Sequence, residues 1–114
     1  MENLRRKHRS ERHQAALEDT NLTDMRFNLL DLRPADMPEV VEALQKNSVV
    51  TCLDLSTNDK LDDNALQPLL LALANRSAPT LRRLKLQGTS ASIISKNMAK
   101  GLKLMRKDLE VEFD

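Results

Sequence analysis

The sequence predicts an α/β domain: a short right-handed β-α solenoid with about four parallel strands, outer helices and an N-terminal helical or disordered arm. Three observations carry this. A short apolar–polar phrase recurs along the chain. The hydrophobic period is two inside each phrase and helical between phrases. Leucine supplies most of the apolar bulk, because 40% of the 114 residues are hydrophobic but only 2% are aromatic.

The phrase reads Phe27-x-x-Leu30-x-Leu32, then Val50-x-x-Leu53-x-Leu55, then Leu81-x-x-Leu84-x-Leu86, with a partial copy at Val111-x-Phe113. The central residues 30, 53, 84 and 111 are 23, 31 and 27 positions apart. Each phrase alternates apolar and polar positions, as a half-buried strand does. A single such strand cannot bury its apolar side. Stacking the units side by side gives them one continuous core.

Helical spacing fills the intervals. Asp36 is expected to cap a first helix, with Glu39 three residues on and Met37, Val40, Val41 and Leu44 on the inward face. A second helix is expected from Asp62 or Asp63, with Leu66, Leu69, Leu70 and Leu73 inward and Pro68 in its early turns. A third is expected after Ser90 or Ser92, with Ile94, Met98, Leu102 and Met105 inward and Gly101 weakening it slightly.

The stretch Val50-Thr51-Cys52-Leu53-Asp54-Leu55-Ser56-Thr57-Asn58, followed by Leu61-Asp62-Asp63-Asn64-Ala65-Leu66, resembles one repeat of the ribonuclease-inhibitor-type leucine-rich repeat family. It has the LxxLxLxxN frame, with Val50 in the first Leu place. The resemblance spans residues 26–114 and implies the solenoid fold. It also implies a structural role for Asn58, whose side chain would bind backbone groups where the strand turns. That turn exposes N–H and C=O groups inside the stack, so a partner is needed there. The matching place is Ala35 in the first copy and Thr89 in the third.

Side chains between the leucines face away from the core and align across neighbouring strands, about 4.8 Å apart. One outward row reads Asp31, Asp54, Lys85, Glu112. A second reads Leu29, Cys52, Arg83, Glu110. A third reads Arg33, Ser56, Gln87, Asp114. The family commonly uses this concave face for partners. Asp31, Asp54, Arg83, Lys85 and Glu112 are therefore the expected partner-binding residues. The competing expectation is that Asp54, Lys85 and Glu112, and likewise Arg83 and Glu110, neutralise each other across strands.

Net charge is +1, so no whole-chain field points to nucleic acid or membrane. Residues 1–13 nevertheless carry net +3 through Arg5, Arg6, Lys7, Arg9 and Arg12, and the remainder carries −2. Residues 1–20 are read as a basic arm or capping helix, and 21–114 as the repeat domain. The run Arg5-Arg6-Lys7-His8-Arg9 resembles a basic nuclear-import or phosphate-binding segment. No aromatic side chain interleaves it, so stacking on single-stranded bases is not expected. Nucleic acid is thus the weaker partner class and a protein the stronger.

The single cysteine, Cys52, excludes an internal disulfide and favours a reducing compartment. No apolar stretch is long enough to span a membrane, and no signal-peptide core follows the basic start. The expected location is cytoplasmic, with the nucleus as alternative. The chain ends on its fourth strand without a polar capping unit. Either it belongs to a longer array, or the edge is used for dimerisation, or Glu110, Glu112 and Asp114 keep the edge unpaired. The last favours a monomer.

No catalytic or metal-binding set is expected. His8 and His13 are five apart, on different faces of a helix, and no cysteine lies near them in sequence. Cys52 has no histidine base in its own domain. Asp31 and Asp54 would face solvent, without the burial that raises a carboxylate pKa. Two glycines cannot build a phosphate loop, and no cofactor is expected. The expected function is an intracellular protein-interaction scaffold, not an enzyme. The alternatives are a nuclear or nucleic-acid-associated factor using the arm, and a regulatory fragment of the kind found in immune receptors, ubiquitin-ligase adaptors, actin-pointed-end regulators or bacterial effectors.

Overall fold

Four parallel strands in sequence order, β1-β2-β3-β4, form one sheet, and a helix lies in each crossover from strand to strand. The computed structural model describes residues 21–114. The basic arm, with Arg5, Arg6, Lys7, Arg9, Arg12 and both histidines, lies outside the described residues. β1 is Asp24–Arg26, β2 Cys52–Asp54, β3 Arg83–Lys85 and β4 Glu110–Glu112. The helices are α1 (Met37–Lys46), preceded by a 3-10 turn at Pro34–Asp36, α2 (Asp63–Ala74) and α3 (Ile93–Met105). Among the described residues, no helix is long and apolar enough to cross a membrane.

The strand ladder pairs Met25 with Leu53, Leu53 with Leu84, and Leu84 with Val111. Met25, Leu53 and Leu84 are fully buried and join Leu44, Leu66, Leu69 and Leu73 of the helices in one core. Alternate strand residues face the other way, so helices cover one side of the sheet and the other is open. α1 packs on α2, and α2 on α3.

The first strand is not where the phrase centred on Leu30 puts it. The sequence holds two overlapping frames, Leu22-x-x-Met25-x-Phe27 and Phe27-x-x-Leu30-x-Leu32, and the fold uses the earlier one. Met25 to Leu53 is 28 residues, close to the 31 and 27 that follow. Leu30 is still buried, but in the turn. Leu29 and Asp31 have φ of 57° and 53°, left-handed values that a strand cannot accommodate.

That turn geometry repeats. Leu29, Thr57 and Gly88, each four residues after the strand centre, have φ of 57°, 57° and 71°. The N–H of Leu29 donates to the Ser56 carbonyl at 3.2 Å, and that of Thr57 to the Gln87 carbonyl at 2.8 Å. In the third unit the Gly88 N–H donates instead to the Asp114 carboxylate, at 2.9 and 3.1 Å.

Two buried asparagines tie units together. Asn58 Oδ1 accepts from the Leu32 N–H at 2.9 Å, and its Nδ2 donates to the carbonyls of Phe27 and Leu55, both at 2.9 Å. Asn47, which has no signal in the LxxLxL frame, follows α1. Its Nδ2 donates to the Leu22 carbonyl at 2.8 Å while Oδ1 accepts from the N–H groups of Val49 and Val50.

The helices depart from the periodic expectation in three places. Asp36 stands at the N-cap of α1 as expected, but its side chain makes no capping hydrogen bond; the carboxylate accepts instead from the Arg33 N–H at the start of the 3-10 turn. Pro68 lies inside α2, where its ring removes one helical hydrogen bond, and the buried face of Leu66, Leu69, Leu70 and Leu73 holds the helix regardless. On α3 the buried positions are Ser95, Ala99 and Leu102, whereas Ile94 and Met105 are 59% and 64% exposed. Asp63 of α2 accepts from the hydroxyls of Ser92 and Ser95, which turns the Ser95 face inward.

Candidate functional site

The open side of the sheet holds a hollow of about 530 Å³. Its floor is Cys52, at the middle of three strands. The β1 side supplies Asp24, Arg26 and Asn28, and the β3 side supplies Arg82, Arg83 and Lys85, with Asp54 and Thr51 between. Strand alternation explains the lining, because each buried central residue leaves its two neighbours pointing outward.

The ladder corrects one expected row. Arg26, not Asp31, stands beside Asp54, and the row continues through Lys85 to Glu112. Asp31 lies in the turn after β1, where it pairs with Lys60 at 3.0 Å. It is displaced because the first strand sits five residues earlier than the later frame places it. By the same shift Asp24, not Leu29, precedes Cys52, Arg83 and Glu110 in the second row. Of the five expected residues, Asp54, Arg83 and Lys85 line the hollow, Glu112 flanks it on β4, and Asp31 is outside it. Sequence reasoning missed Asp24 and Arg26; alternation around Met25 is the signal that would have found them.

The charges are unevenly engaged. Asp24 binds Arg26, its Oδ2 lying 3.1 Å from the arginine Nε. Asp54 Oδ1 accepts from the N–H and hydroxyl of Ser56, at 2.9 and 2.6 Å. Arg83 pairs with Glu112 at 2.5 Å, and Gln87 Nε2 donates to the same glutamate at 3.2 Å. Glu110 turns the other way, to Lys103 at 3.0 Å. The cross-strand neutralisation expected for Arg83 and Glu110 is therefore replaced by a diagonal pair. Arg82 and Asp108 are 4.0 Å apart and both largely exposed, a contact of little energetic weight. Lys85 has no ion pair or side-chain hydrogen bond among the described residues.

Burial, reinforced by the neighbouring Asp24 carboxylate, pushes the Cys52 thiol above its ordinary pKa. A thiol so shifted is a poor nucleophile at neutral pH. No group of three or more His, Cys, Asp or Glu side chains with metal-holding geometry occurs among the described residues.

Comparison with protein-family models found no matching family. Comparison with curated proteins found no match either.

Proposed function

We propose that this chain is a short leucine-rich-repeat solenoid that acts as a protein-binding scaffold, not an enzyme, through the open face of its sheet. Strand spacings of 28, 31 and 27 residues support the repeat reading. So do the left-handed residue at the same place in three successive turns and the bonds of Asn58 to the preceding unit. One observation carries the functional reading. Polar side chains of three successive strands surround a hollow of about 530 Å³ on the face that the helices leave uncovered. Short strands held by a common core fix the backbone anchors of those side chains relative to one another, which limits the ordering cost of binding to the side chains themselves. The thiol at its floor is shifted away from reactivity, which suits recognition better than nucleophilic chemistry.

The test is paired affinity capture with the full chain and with the double variant Arg83→Glu, Lys85→Glu. The expected result is a protein retained by the natural sequence and lost from the variant, whose circular dichroism and melting temperature stay close to the original. Equal retention by both would remove the strand face as the docking site.

A second reading rests on the net +3 of residues 1–13. Under it the arm associates with nucleic acid, and the affinity falls steeply with salt. Deleting residues 1–13 separates the two. Capture through the sheet survives the deletion, whereas an arm-driven interaction does not.

A further inference from the structure

We propose that the β3 wall of the hollow takes an extended acidic segment of a partner protein, with carboxylates at alternate positions meeting Arg83 and Lys85. This rests on the scaffold reading and names the chemistry of the partner.

Among the described residues the lining carries four cations, Arg26, Arg82, Arg83 and Lys85, against two carboxylates. Both carboxylates are already engaged, Asp24 by Arg26 and Asp54 by Ser56. The glutamate that answers Arg83 stands outside the hollow on β4. The wall formed by β3 is therefore positive toward the hollow, and Lys85 is its ammonium with no counter-charge bound among the described residues.

Spacing narrows the partner further. Arg83 and Lys85 are two residues apart on one strand, so their side chains leave the same face about 7 Å apart. Carboxylates on alternate residues of an extended chain have the same period. A helical segment places neighbours on one face three or four residues apart instead. The molecule shows one such carboxylate reaching this wall, off register, while Glu110 turns to Lys103 and leaves Lys85 unmatched. β4 carries Glu110 and Glu112 in register with Arg83 and Lys85, and Glu112 pairs with Arg83 at 2.5 Å. An incoming acidic strand would meet the opposite flank of the same cations. Among the described residues no aromatic side chain lines the hollow, so the aromatic platform on which single-stranded bases stack is missing from its described lining.

The experiment uses the full chain and a fluorescein-labelled peptide of alternating Glu and Ser, followed by anisotropy. An alternating Lys and Ser peptide and a single-stranded oligonucleotide serve as competitors. Alkylation of Cys52 by iodoacetamide reports occupancy of the hollow. The acidic peptide should bind, slow the alkylation, and lose roughly threefold to tenfold in affinity with Lys85→Gln. Lys46→Gln, on α1, should change nothing. Equal binding of the lysine peptide, an unchanged affinity in Lys85→Gln, unprotected Cys52, or tighter binding of the oligonucleotide would each overturn the proposal. If a protein is captured through Arg83 and Lys85 but the acidic peptide neither binds nor competes, the acidic segment is wrong and the scaffold stands. If the peptide binds and protects Cys52 while capture is indifferent to the double variant, the scaffold reading fails and the acid-binding wall remains.

Discussion

The carboxylate of Asp63, in the first turn of α2, accepts a hydrogen bond from the hydroxyl of Ser95, in the first turn of α3, at 2.6 Å. It also accepts from the Ser92 N–H at 2.9 Å and from the Ser92 hydroxyl. Hydrogen bonds from Ser92 first, then Ser95, hold the Asp63 pKa down at about 2. A folded-state value below the ordinary carboxylate value near 4 contributes stability that is fully present above about pH 4. That contribution is lost as pH falls toward 2. Urea midpoints measured from pH 7 to pH 2 should therefore favour the natural sequence over Asp63→Ala at neutral pH and converge in acid. A difference independent of pH would show that the carboxylate charge is not what joins the two helices.

Asn58 is the residue whose loss should damage the stack most locally. Replacement by alanine strands a buried N–H at Leu32 and buried carbonyls at Phe27 and Leu55. The expected cost is about 3 kcal/mol, read from the urea midpoint at unchanged slope. Asn58→Asp keeps an acceptor for Leu32 but removes every bond that Nδ2 donates and buries a charge, so it should not rescue.

Much of this was legible in the residues themselves. β2 and β3 follow from leucines at alternate positions, and Asp54, Arg83 and Lys85 share a face for the same reason. Asn58 stood out through the resemblance of its stretch to a leucine-rich repeat, which implies a backbone-binding amide at that place. β1 was hidden because two frames, offset by five residues and sharing Phe27, both satisfy the apolar pattern. What separates them is the left-handed backbone at Leu29, a residue type that gives no turn signal. On α3 Leu102 and Met98 meet the core as the periodicity has it, but Ile94 and Met105 do not, because Asp63, 32 residues before Ser95, decides which side Ser95 turns to. Periodicity within one helix contains no such long-range information.

The left-handed positions predict opposite signs for two glycine changes. A Cβ on Gly88 would lie 3.1 Å from the Cα and N of Thr57, and φ there is 71°. Gly88→Ala should lose about 1–2 kcal/mol. Leu29 pays the left-handed penalty already, with its side chain 67% exposed. Leu29→Gly should therefore gain about 0.5–1 kcal/mol. Thermal midpoints moving in the same direction for both variants would contradict the shared turn geometry.

Arg106, just after α3, reaches the carbonyls of Ser77 and Ala78 at 2.9 and 2.6 Å, with Leu73 at 3.3 Å. Its guanidinium fork holds the end of α2 to the loop that leads into β3. Burial lowers its pKa from the usual arginine value. Lysine offers a point charge in place of a planar fork. Arg106→Lys should cost about 1–2 kcal/mol in urea, and amide exchange at residues 75–81 should quicken while β1 and α1 stay protected.

Thr57 and Gly88 share one backbone conformation at equivalent places, with a strand behind each and a return path ahead. The polypeptide can accordingly be spliced at these points without altering the direction of the main chain. A tandem duplication of residues 58–88, inserted after Gly88, would extend the sheet by one strand and the outer layer by one helix. Growth or shortening by whole modules is thus open to this architecture, and the length of its open sheet face can change without redesign of its interior.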